Sequence, residues 1–375
     1  MMSALYLINP DRNTPWNNIP SLPINKELYR TVEILEKLGD AKAALARLHG
    51  RSAIIPNQGL FINTISLQEA KISSAIENIF TTDDELYKAF SDKSTEGGAS
   101  KEVLRYREAL WSGNKYLKEN GKFDRDYFIN VFQEIKQTTD SIRPDFLNTT
   151  IRQGGTGPNA GQVVYTPPKG ALIIEEKLDN LIDFLNDDEQ YRIDHLLKMA
   201  IAHFQFEAIH PFRDGNGRTG RVFNIHYLTN KGLLDVPILF LSRYILDNKD
   251  DYYSGLMGVS QRGAWKDWLL FMLRAIESTS NMTFYKINEI MSVKDSILDF
   301  VKKDERKFRS PESLIEFIFS QPFTKVKHLI ETGLYAENTA RDYLNKLCEM
   351  QVMEKKEIGG HHYYLNIELY RILSE

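Results

Sequence analysis

Apolar residues recur at the spacing of an α-helix along most of the 375-residue chain, which predicts a mainly helical fold. In the first third, this pattern predicts helices over residues 26–48, 62–80 and 102–120. The polar, glycine-containing segment at 91–100 has no such periodicity and is predicted to be a surface loop.

Two consecutive helices are predicted in the middle of the chain, one ending at Ile209 and one spanning 218–229. Apolar residues of the first helix, among them Leu197, Ile201 and Phe204, follow helical spacing. The residues between the two helices are rich in glycine and charge, so the pattern predicts a helix, a loop and a second helix.

The last part of the chain changes from helical to alternating patterning, which predicts a separate C-terminal module. We expect short helices at 313–319, 325–332 and 338–350, then strands at 352–358 and 361–365 that turn at Gly359 and Gly360. This order of elements is typical of a winged helix.

One β-rich segment interrupts the central helices. Residues 161–168 read Gly-Gln-Val-Val-Tyr-Thr-Pro-Pro, where β-branched residues favour a strand and the two prolines end it. The sequence therefore predicts a mainly α protein in three parts. These are a helical region at 1–121, a helical core with a small β-hairpin at 122–300, and a winged-helix module at 301–375.

Composition narrows the choice of function. The net charge of −4 gives no overall attraction to nucleic acid or to an anionic membrane. The single cysteine, Cys348, lies in a predicted amphipathic helix, which favours packing and suits a reducing compartment. No run is apolar and long enough to span a bilayer, and the first residues lack the basic region of a signal peptide. We therefore expect a cytoplasmic protein.

The strongest chemical signal is the segment His210-Pro211-Phe212-Arg213-Asp214-Gly215-Asn216-Gly217-Arg218-Thr219-Gly220-Arg221. A neutral imidazole at His210 can accept a proton near pH 7, and Asp214 offers a hard oxygen to magnesium. The glycines at 215 and 217 let backbone N–H groups approach an anion at the start of the next helix. Two arginines three residues apart, at 218 and 221, can both face that anion. This set of groups suits chemistry on a nucleotide phosphate.

Two other interpretations fit the letters of this segment but not its context. Residues 215–220 also fit G-x-G-x-x-G, but a dinucleotide-binding fingerprint follows a β-strand, whereas here a helix comes before it. Glu207-x-x-His210 resembles half of a carboxylate-bridged metal pair, which needs a second Glu-x-x-His on a neighbouring helix. The sequence contains no second copy.

The segment matches H-x-F-x-[D/E]-G-N-G-R-x-x-R without a departure, and the chain resembles the Fic (filamentation induced by cAMP) family of adenylyltransferases. The resemblance implies a Fic-type helical bundle that transfers AMP from ATP to a protein hydroxyl, with Mg²⁺ as cofactor. It implies that His210 is the catalytic base, that Phe212 anchors the loop in the core and that Asp214 binds the metal. The residues implied for ATP and its phosphates are Gly215, Asn216, Gly217, Arg218, Thr219, Gly220 and Arg221. Tyr253 is a candidate for contact with adenosine, although a packing role fits the sequence equally well.

The β-rich segment at 161–168 resembles the flap of this family, a short hairpin that aligns the target beside the active loop. The candidate docking residues are Val163, Val164, Tyr165 and Thr166. A strand with an unpaired edge can bind an extended peptide by β-augmentation. An ordinary surface hairpin is the alternative interpretation.

A second pattern lies upstream, in the helix predicted at 62–80. Ser73 and Glu77 belong to Ser-Ser-Ala-Ile-Glu-Asn, which fits [S/T]-x-x-x-E-[G/N], and their spacing predicts one shared helix face. On its own this pattern is short and fits many solvated helices. The Fic resemblance implies that Glu77 pairs with Arg221 and prevents the γ-phosphate from seating. Ser73 and Glu77 are therefore the predicted inhibitory residues.

The charges of the C-terminal module argue against DNA binding. From residue 301 onward the chain has twelve basic and twelve acidic residues, without the basic face that phosphate contacts need. We therefore predict a module for protein interaction or for homodimerisation. Two sets of histidines are not expected to bind metal, because no Cys or acidic partner has suitable spacing. The exposed set comprises His361 and His362, and the helix-packing set comprises His195, His203 and His226.

Two classes of function remain open. The favoured one is an autoinhibited AMP transferase that acts on Ser, Thr or Tyr hydroxyls of a protein, including itself. Within that class, Glu77 could instead align water and remove AMP from a modified target. The other class is a winged-helix regulator whose Fic core senses a nucleotide. The complete motif and the neutral C-terminal module favour the enzyme.

Overall fold

The computed structural model describes residues 6–53, 58–92, 98–144, 146–152, 161–305, 307–358 and 360–375, and for 58–62 it describes the backbone. Part of the predicted loop at 91–100 lies outside these residues, since 93–97 are not among them. Gly359 of the predicted turn at 359–360 also lies outside them. The described chain is mainly helical with two small antiparallel sheets, so the predicted fold class is confirmed.

The N-terminal region contains α1 (Val32–Ala53), α2 (Gln58–Ile76), α3 (Asp83–Asp92) and α4 (Ala99–Asn120). The helix predicted at 26–48 begins as a 3-10 turn at Lys26–Leu28 and resumes as α1. The predicted helix at 102–120 is α4, which ends at Gly121 in a left-handed conformation. Ser91 and Asp92, predicted to be in a loop, instead complete α3.

The central region carries the elements that surround the glycine-rich loop. In chain order they are α5 (Arg125–Lys136), β1 (Ile151–Arg152), β2 (Val163–Tyr165), α6 (Ala171–Asn186), α7 (His195–Ile209), α8 (Asn216–Asn230), α9 (Leu241–Asp247), α10 (Lys249–Arg262) and α11 (Trp265–Lys303). Strand β1 pairs with β2, matching Ile151 with Tyr165. The predicted domain boundary at residue 300 falls inside α11, so the helix joins the core to the C-terminal module.

The C-terminal module contains α12 (Pro311–Ile318), β3 (Phe323–Thr324), α13 (Val326–Glu331), α14 (Glu337–Glu349), β4 (Met353–Ile358), β5 (His361–Asn366) and α15 (Ile367–Ser374). Its sheet is antiparallel with the order β3-β5-β4. The sequence patterns missed β3 and α15, both of which are short. The name winged helix remains a prediction for this arrangement.

Helices α7 and α8 lie at the centre of the core, where aromatic rings fill the space between them and α5. Phe128 of α5 stacks on Phe206 of α7 with ring centroids 5.2 Å apart. His203 is buried and bonds to the Tyr252 hydroxyl at 2.9 Å, and His226 bonds to the Tyr127 hydroxyl at 2.7 Å. The helix-packing interpretation of these histidines therefore agrees with the structure.

The C-terminal module packs against the N-terminal helices. Phe323 of β3 stacks on Tyr87 of α3 at 6.3 Å, and the Tyr370 hydroxyl of α15 donates to Asp84 at 2.9 Å. Lys71 of α2 pairs with Asp83 of α3 at 2.8 Å. Helix α3 therefore connects the module to the helix that precedes Glu77.

Candidate active site

The loop between α7 and α8 changes chain direction with two left-handed residues. His210, directly after α7, has φ 50° and ψ 60°, and its N–H bonds to the Phe206 carbonyl at 2.9 Å. Gly215, directly before α8, has φ 78°. Glycine adopts this conformation without the steric cost that a Cβ brings. A non-glycine residue at positive φ is uncommon, so the surrounding contacts must hold His210 in place.

His210 presents a neutral imidazole. Its Nδ1 is buried and has no hydrogen-bond partner among the described residues. Burial, and to a lesser extent the positive charge of Arg143, lower the pKa of His210 to about 4. The ring is therefore unprotonated at pH 7, the state that a general base needs.

Phe212 and Asn216 fix the loop in the core. The Phe212 ring is buried and lies parallel to that of Phe132, with centroids 4.2 Å apart. The Asn216 side chain accepts from the Phe212 N–H at 2.9 Å and donates to the Phe212 carbonyl at 2.8 Å. Asn216 is predicted to bind phosphate, and both of these side-chain hydrogen bonds go to the backbone of the loop. Its backbone N–H, at the start of α8, is the group left to face an anion.

Arg221 is buried beneath the loop and is held by the end of α2. Its Nε donates to the Ser73 hydroxyl at 2.8 Å, and its Nη2 donates to the Ser73 carbonyl at 3.0 Å. The same Nη2 lies 2.8 Å from Glu77 Oε1. The predicted contact between the two distant motifs is therefore present in the structure.

Glu77 reaches Arg221 from a turn, not from a helix face as predicted. Helix α2 ends at Ile76, and Asn78 adopts a left-handed conformation with φ 61°. The amino group of Lys249 closes this end by donating to the Ile76 carbonyl at 2.6 Å. Burial by itself would raise the pKa of Glu77. The charge and hydrogen bond of Arg221, together with the charges of Arg218 and Lys249, outweigh burial and lower the pKa.

The Glu77 carboxylate occupies the position where an anion would meet the start of α8. A side-chain carbon added at Gly217 would lie 2.4 Å from Glu77 Oε1 and 3.1 Å from Arg221 Nη1. Backbone N–H groups at a helix N-terminus bind phosphate and carboxylate alike. Glu77 therefore occupies space and a cation that a phosphate would use.

Two further carboxyl groups lie near Arg221 and are buried. Burial raises the pKa of Glu69 to about 8 and that of Glu207 to about 8. Glu69 accepts from the backbone and hydroxyl of Ser242, whereas Glu207 Oε1 has no hydrogen-bond partner among the described residues. Both carboxyl groups are mainly protonated at pH 7, which leaves Glu77 as the ionised partner of Arg221.

Arg218 is also paired with a carboxylate from the N-terminal region. Its Nη1 lies 3.0 Å from Oε2 of Glu102 in α4, and the Arg218 side chain is only 3% exposed. The charges of Arg218 and Arg221 both act on Glu77. Both arginines of the motif are thus bound by carboxylates that come from outside the motif.

Asp214 lies at the rim of the site. Its Oδ1 accepts from the Gly215 N–H at 2.7 Å, and its Oδ2 lies 2.6 Å from Lys136 Nζ. The side chain is 68% exposed, and Lys136 lowers its pKa against the opposing effect of burial. One accessible carboxylate fits Mg²⁺, which takes one or two carboxylates beside phosphates and water. Among the described residues, no cluster of three His, Cys, Asp or Glu side chains could bind a metal by itself.

Thr219 and Gly220, predicted to lie at the phosphates, also take part in the packing of the loop and of α8. The Thr219 hydroxyl is buried and donates to the Gly215 carbonyl at 3.0 Å. A side-chain carbon at Gly220 would lie 2.4 Å from Glu207 Oε1 of α7. These residues support the loop and let α7 and α8 approach closely.

The segment predicted as a flap is strand β2 with the residues that follow it. Its hydrogen-bonded partner is the upstream strand β1, which the sequence did not indicate. Val163, Val164 and Tyr165 are partly exposed, but Thr166 is buried. The Thr166 hydroxyl donates to the Arg12 carbonyl at 2.6 Å, so this side chain is covered by the N-terminal arm and is not free for docking.

Tyr253 lies on α10 with its side chain partly exposed at 38%. Burial raises its pKa to about 12, and the charge of nearby Glu77 contributes. Its ring also packs edge-to-face against Tyr252 at 5.2 Å. The structure thus places Tyr253 close to the Glu77 and Arg221 pair, where both predicted roles remain compatible.

Four residues that shape this site were not predicted from the sequence. They are Glu69, Glu102, Lys136 and Arg143, whose roles depend on tertiary contacts. The spacing of four between residues 69, 73 and 77 could have indicated the first. The others carry no local signal, because their partners lie tens of residues away.

Comparison with known proteins covers most of the chain. Family models match residues 35–115 (Fic/DOC family N-terminal), 122–228 (Fic/DOC family) and 293–369 (protein adenylyltransferase SoFic-like, C-terminal domain). Among the described residues, no helix is long and apolar enough to cross a membrane.

Curated relatives match shorter stretches. Protein adenylyltransferase fic-1 of Caenorhabditis elegans is 27% identical over 139 residues, which are 37% of this chain and 24% of that protein. Probable protein adenylyltransferase aq_aa38 of Aquifex aeolicus is 35% identical over 81 residues, 22% of this chain and 24% of that protein. The chain thus spans about a quarter of the length of the curated relatives it matches.

Solved structures share the fold. A Fic family protein from Desulfovibrio desulfuricans superposes with a TM-score of 0.53 at 20% identity, covering 92% of this chain and 98% of that one. Fic-1 from C. elegans gives a TM-score of 0.51 at 20% identity, covering 68% and 73%. Three Fic family models match in order along the chain, and the complete motif lies in the loop between α7 and α8 and in the first turns of α8. The protein therefore belongs to the Fic family.

Proposed function

We propose that the chain is an autoinhibited protein adenylyltransferase. It transfers AMP from ATP to a Ser, Thr or Tyr hydroxyl of a target protein, including itself. The observation that carries this proposal is the pairing of Glu77 with Arg221 above Gly217, beside an unprotonated His210. The names of the curated relatives support the same reaction class.

The reaction forms one bond and breaks one. The acceptor hydroxyl oxygen attacks the α-phosphorus of ATP, its proton passes to His210, and the bond to pyrophosphate breaks. His210 is suited to this role because burial keeps its pKa near 4 and leaves a lone pair available at pH 7. Backbone N–H groups at the start of α8 and the guanidinium groups of Arg218 and Arg221 would bind the phosphates.

Asp214 and the phosphates would together hold Mg²⁺ at the rim of the site. The ion, when bound, neutralises charge that develops on the phosphates during transfer. Lys136 holds the carboxylate ionised and turned toward the start of α8. The accessible side chain lets a metal complex of ATP approach from solvent.

Inhibition follows from competition for one cation. Arg221 is 1% exposed and receives Glu77 at 2.8 Å, so a γ-phosphate must displace that carboxylate before it can bind the same guanidinium. The Ser73 carbonyl and hydroxyl keep Arg221 oriented whether or not Glu77 is present. Activation therefore requires movement of the turn after α2, not of the catalytic loop.

The partly exposed strand β2 is the proposed docking surface for the target. Val163 and Tyr165 are matched with β1, and the Val164 carbonyl accepts from Gln261 of α10 at 3.5 Å, a long contact that a peptide N–H could replace. An extended target segment added there would bring its hydroxyl toward the loop.

The test is transfer of label from ATP whose α-phosphate carries ³²P. Glu77→Gln protein incubated with Mg²⁺ should label itself, with AMP confirmed by mass spectrometry, and Glu77→Gln/His210→Ala protein should not. Label from γ-³²P ATP must not be incorporated. If neither Glu77→Gln nor the unmodified chain labels itself or any added protein, the proposal is wrong.

A further inference from the structure

Arg143 is a buried arginine with no role in the family motif or in the proposed chemistry. It lies between α5 and β1 and is 2% exposed. Its guanidinium donates to three backbone carbonyls, those of Ile209 at 3.3 Å, His210 at 2.8 Å and Pro168 at 2.5 Å. Its own backbone N–H donates to the Pro211 carbonyl at 2.9 Å.

Two of these carbonyls belong to the end of α7, where helix carbonyls lack partners within the helix. A cation at a helix C-terminus is also favourable because of the helix dipole. His210 itself has a costly left-handed backbone, which persists only where surrounding contacts fix it. The Arg143 guanidinium donates to the carbonyl before His210 and to the carbonyl of His210 itself, and so fixes that conformation.

The third carbonyl belongs to the segment that follows β2. Pro168 lies three residues after Tyr165, and the Tyr165 hydroxyl donates to the Ala208 carbonyl of α7 at 2.7 Å. Arg143 and Tyr165 therefore make two separate links between β2 and the end of α7. The arginine is the link that also contacts His210.

Arg143 keeps its charge in this position. Burial lowers its pKa to about 10, still well above neutral pH, and it forms no ion pair within the part of the chain that the structure describes. Its positive charge therefore acts on the neighbouring peptide groups and on the His210 ring. Arginine suits this place because its planar fork offers several donors in fixed directions.

We propose that Arg143 is a positioning residue that holds the His210 loop and strand β2 in one fixed arrangement, so that an acceptor held at β2 lies in reach of His210. This inference rests on the proposed AMP transfer. Misplacing reacting groups by about 1 Å can cost about 100-fold in rate. Loss of Arg143 should therefore lower turnover without weakening ATP binding. Its hydrogen bonds go to carbonyls at the end of α7 and after β2, and not to the start of α8.

The experiment places Arg143→Met and Arg143→Lys in the Glu77→Gln protein and measures self-labelling from α-³²P ATP across ATP concentrations. We expect Arg143→Met to lower kcat roughly 10- to 100-fold, with the KM for ATP unchanged within about twofold. Arg143→Lys retains the charge and should recover part of the loss. Arg125→Met is the matched control, because that arginine binds Glu175 and Asp179 of α6 away from His210.

The pH profile separates positioning from general stability. The charged groups that act on His210 are Arg143, Glu77 and Asp214. Removing the positive charge of Arg143 should raise the pKa of His210 and shift the acid limb of kcat/KM to higher pH, an effect that Arg143→Lys should largely prevent. A role in fold stability alone would lower the unfolding temperature and leave kcat of the folded protein unchanged, whereas the shift of this limb reports the charge of Arg143 on His210.

Tyr165→Phe provides a second variant in case Arg143→Met does not fold. It removes the other link without a change of charge and should lower kcat less than Arg143→Met, again with unchanged KM for ATP. Full kcat in the folded Arg143 variants, or in Tyr165→Phe and Arg143→Lys if the methionine variant is unfolded, would overturn the inference. Absence of labelling by the Glu77→Gln parent would instead overturn the proposed function itself.

Discussion

Replacing Glu77 by glutamine is the perturbation that most directly tests the inhibitory contact. Glutamine keeps the length and shape of the side chain and removes its charge. Arg221 would retain both bonds to Ser73, at 2.8 and 3.0 Å, so we expect the variant to fold with Arg221 in place. What it loses is a charged bond at 2.8 Å and an anion at the start of α8.

The expected gain follows from the strength of that bond. A hydrogen bond to a charged group contributes about 1.5–3 kcal/mol, and the lower half applies here because the Glu77 side chain is 35% exposed to solvent. A free energy of about 1.4 kcal/mol corresponds to a tenfold change in the fraction of protein able to bind substrate. We therefore expect AMP transfer to rise roughly 10- to 50-fold.

The assay is the initial rate of self-labelling from α-³²P ATP at subsaturating ATP. Glu331→Gln serves as the control, since it removes an exposed carboxylate from α13 in the C-terminal module. The double change Glu77→Gln with Arg221→Ala should lose the gain, because Glu77 acts through the cation that it occupies. Such non-additivity is expected for residues in contact.

If Glu77→Gln and Glu77→Gly both fold, bind ATP and show no increase, then Glu77 does not inhibit transfer. Glycine alone is not sufficient evidence, because it gives the backbone of the turn after α2 more conformational freedom. A role in removing AMP would then be tested on a target modified beforehand.

Four further predictions follow from the same site, each measured in Glu77→Gln protein unless stated. His210→Ala should lower transfer about 10²–10⁴-fold while ATP affinity by calorimetry stays nearly constant; undiminished transfer would exclude a base at this position. Because the pKa of His210 is lowered to about 4, kcat/KM should stay high as pH falls from 7 to 5 and decline only near pH 4. A decline centred on pH 6.5 would contradict the buried imidazole. Glu102→Gln should strengthen ATP binding about two- to fivefold by releasing Arg218, since a partly exposed ion pair contributes at most about 1 kcal/mol. Unchanged affinity for ATP would show that this ion pair does not compete with phosphate. In the unmodified chain, Phe212→Ala should lower the free energy of unfolding by about 3–5 kcal/mol, because the ring is fully buried against Phe132. A denaturant midpoint close to that of the parent would argue against the role of Phe212 as an anchor.

The residues of the catalytic loop could be predicted from the sequence alone. His210, Asp214 and the two arginines stand within twelve residues, and local glycines and helix signals suffice to place them around one helix start. The fold class followed from periodicity, because helices bury one face at a fixed spacing. Glu77 could be named from its pattern only once the downstream motif had given that pattern a partner.

Contacts between segments that are distant in sequence could not be predicted in this way. The partners of Arg218 and Asp214, namely Glu102 and Lys136, lie 116 and 78 residues away and have no local pattern that indicates them. Helix α2 ends before Glu77, so this residue lies in a turn and not on a helix face. The side chains of Asn216 and Thr219 form hydrogen bonds within the loop. A polar side chain forms hydrogen bonds with the groups that packing places near it, and packing depends on the whole chain. The same reason hid Arg143, whose four backbone bonds exist only where α7, β2 and the segment after α5 meet.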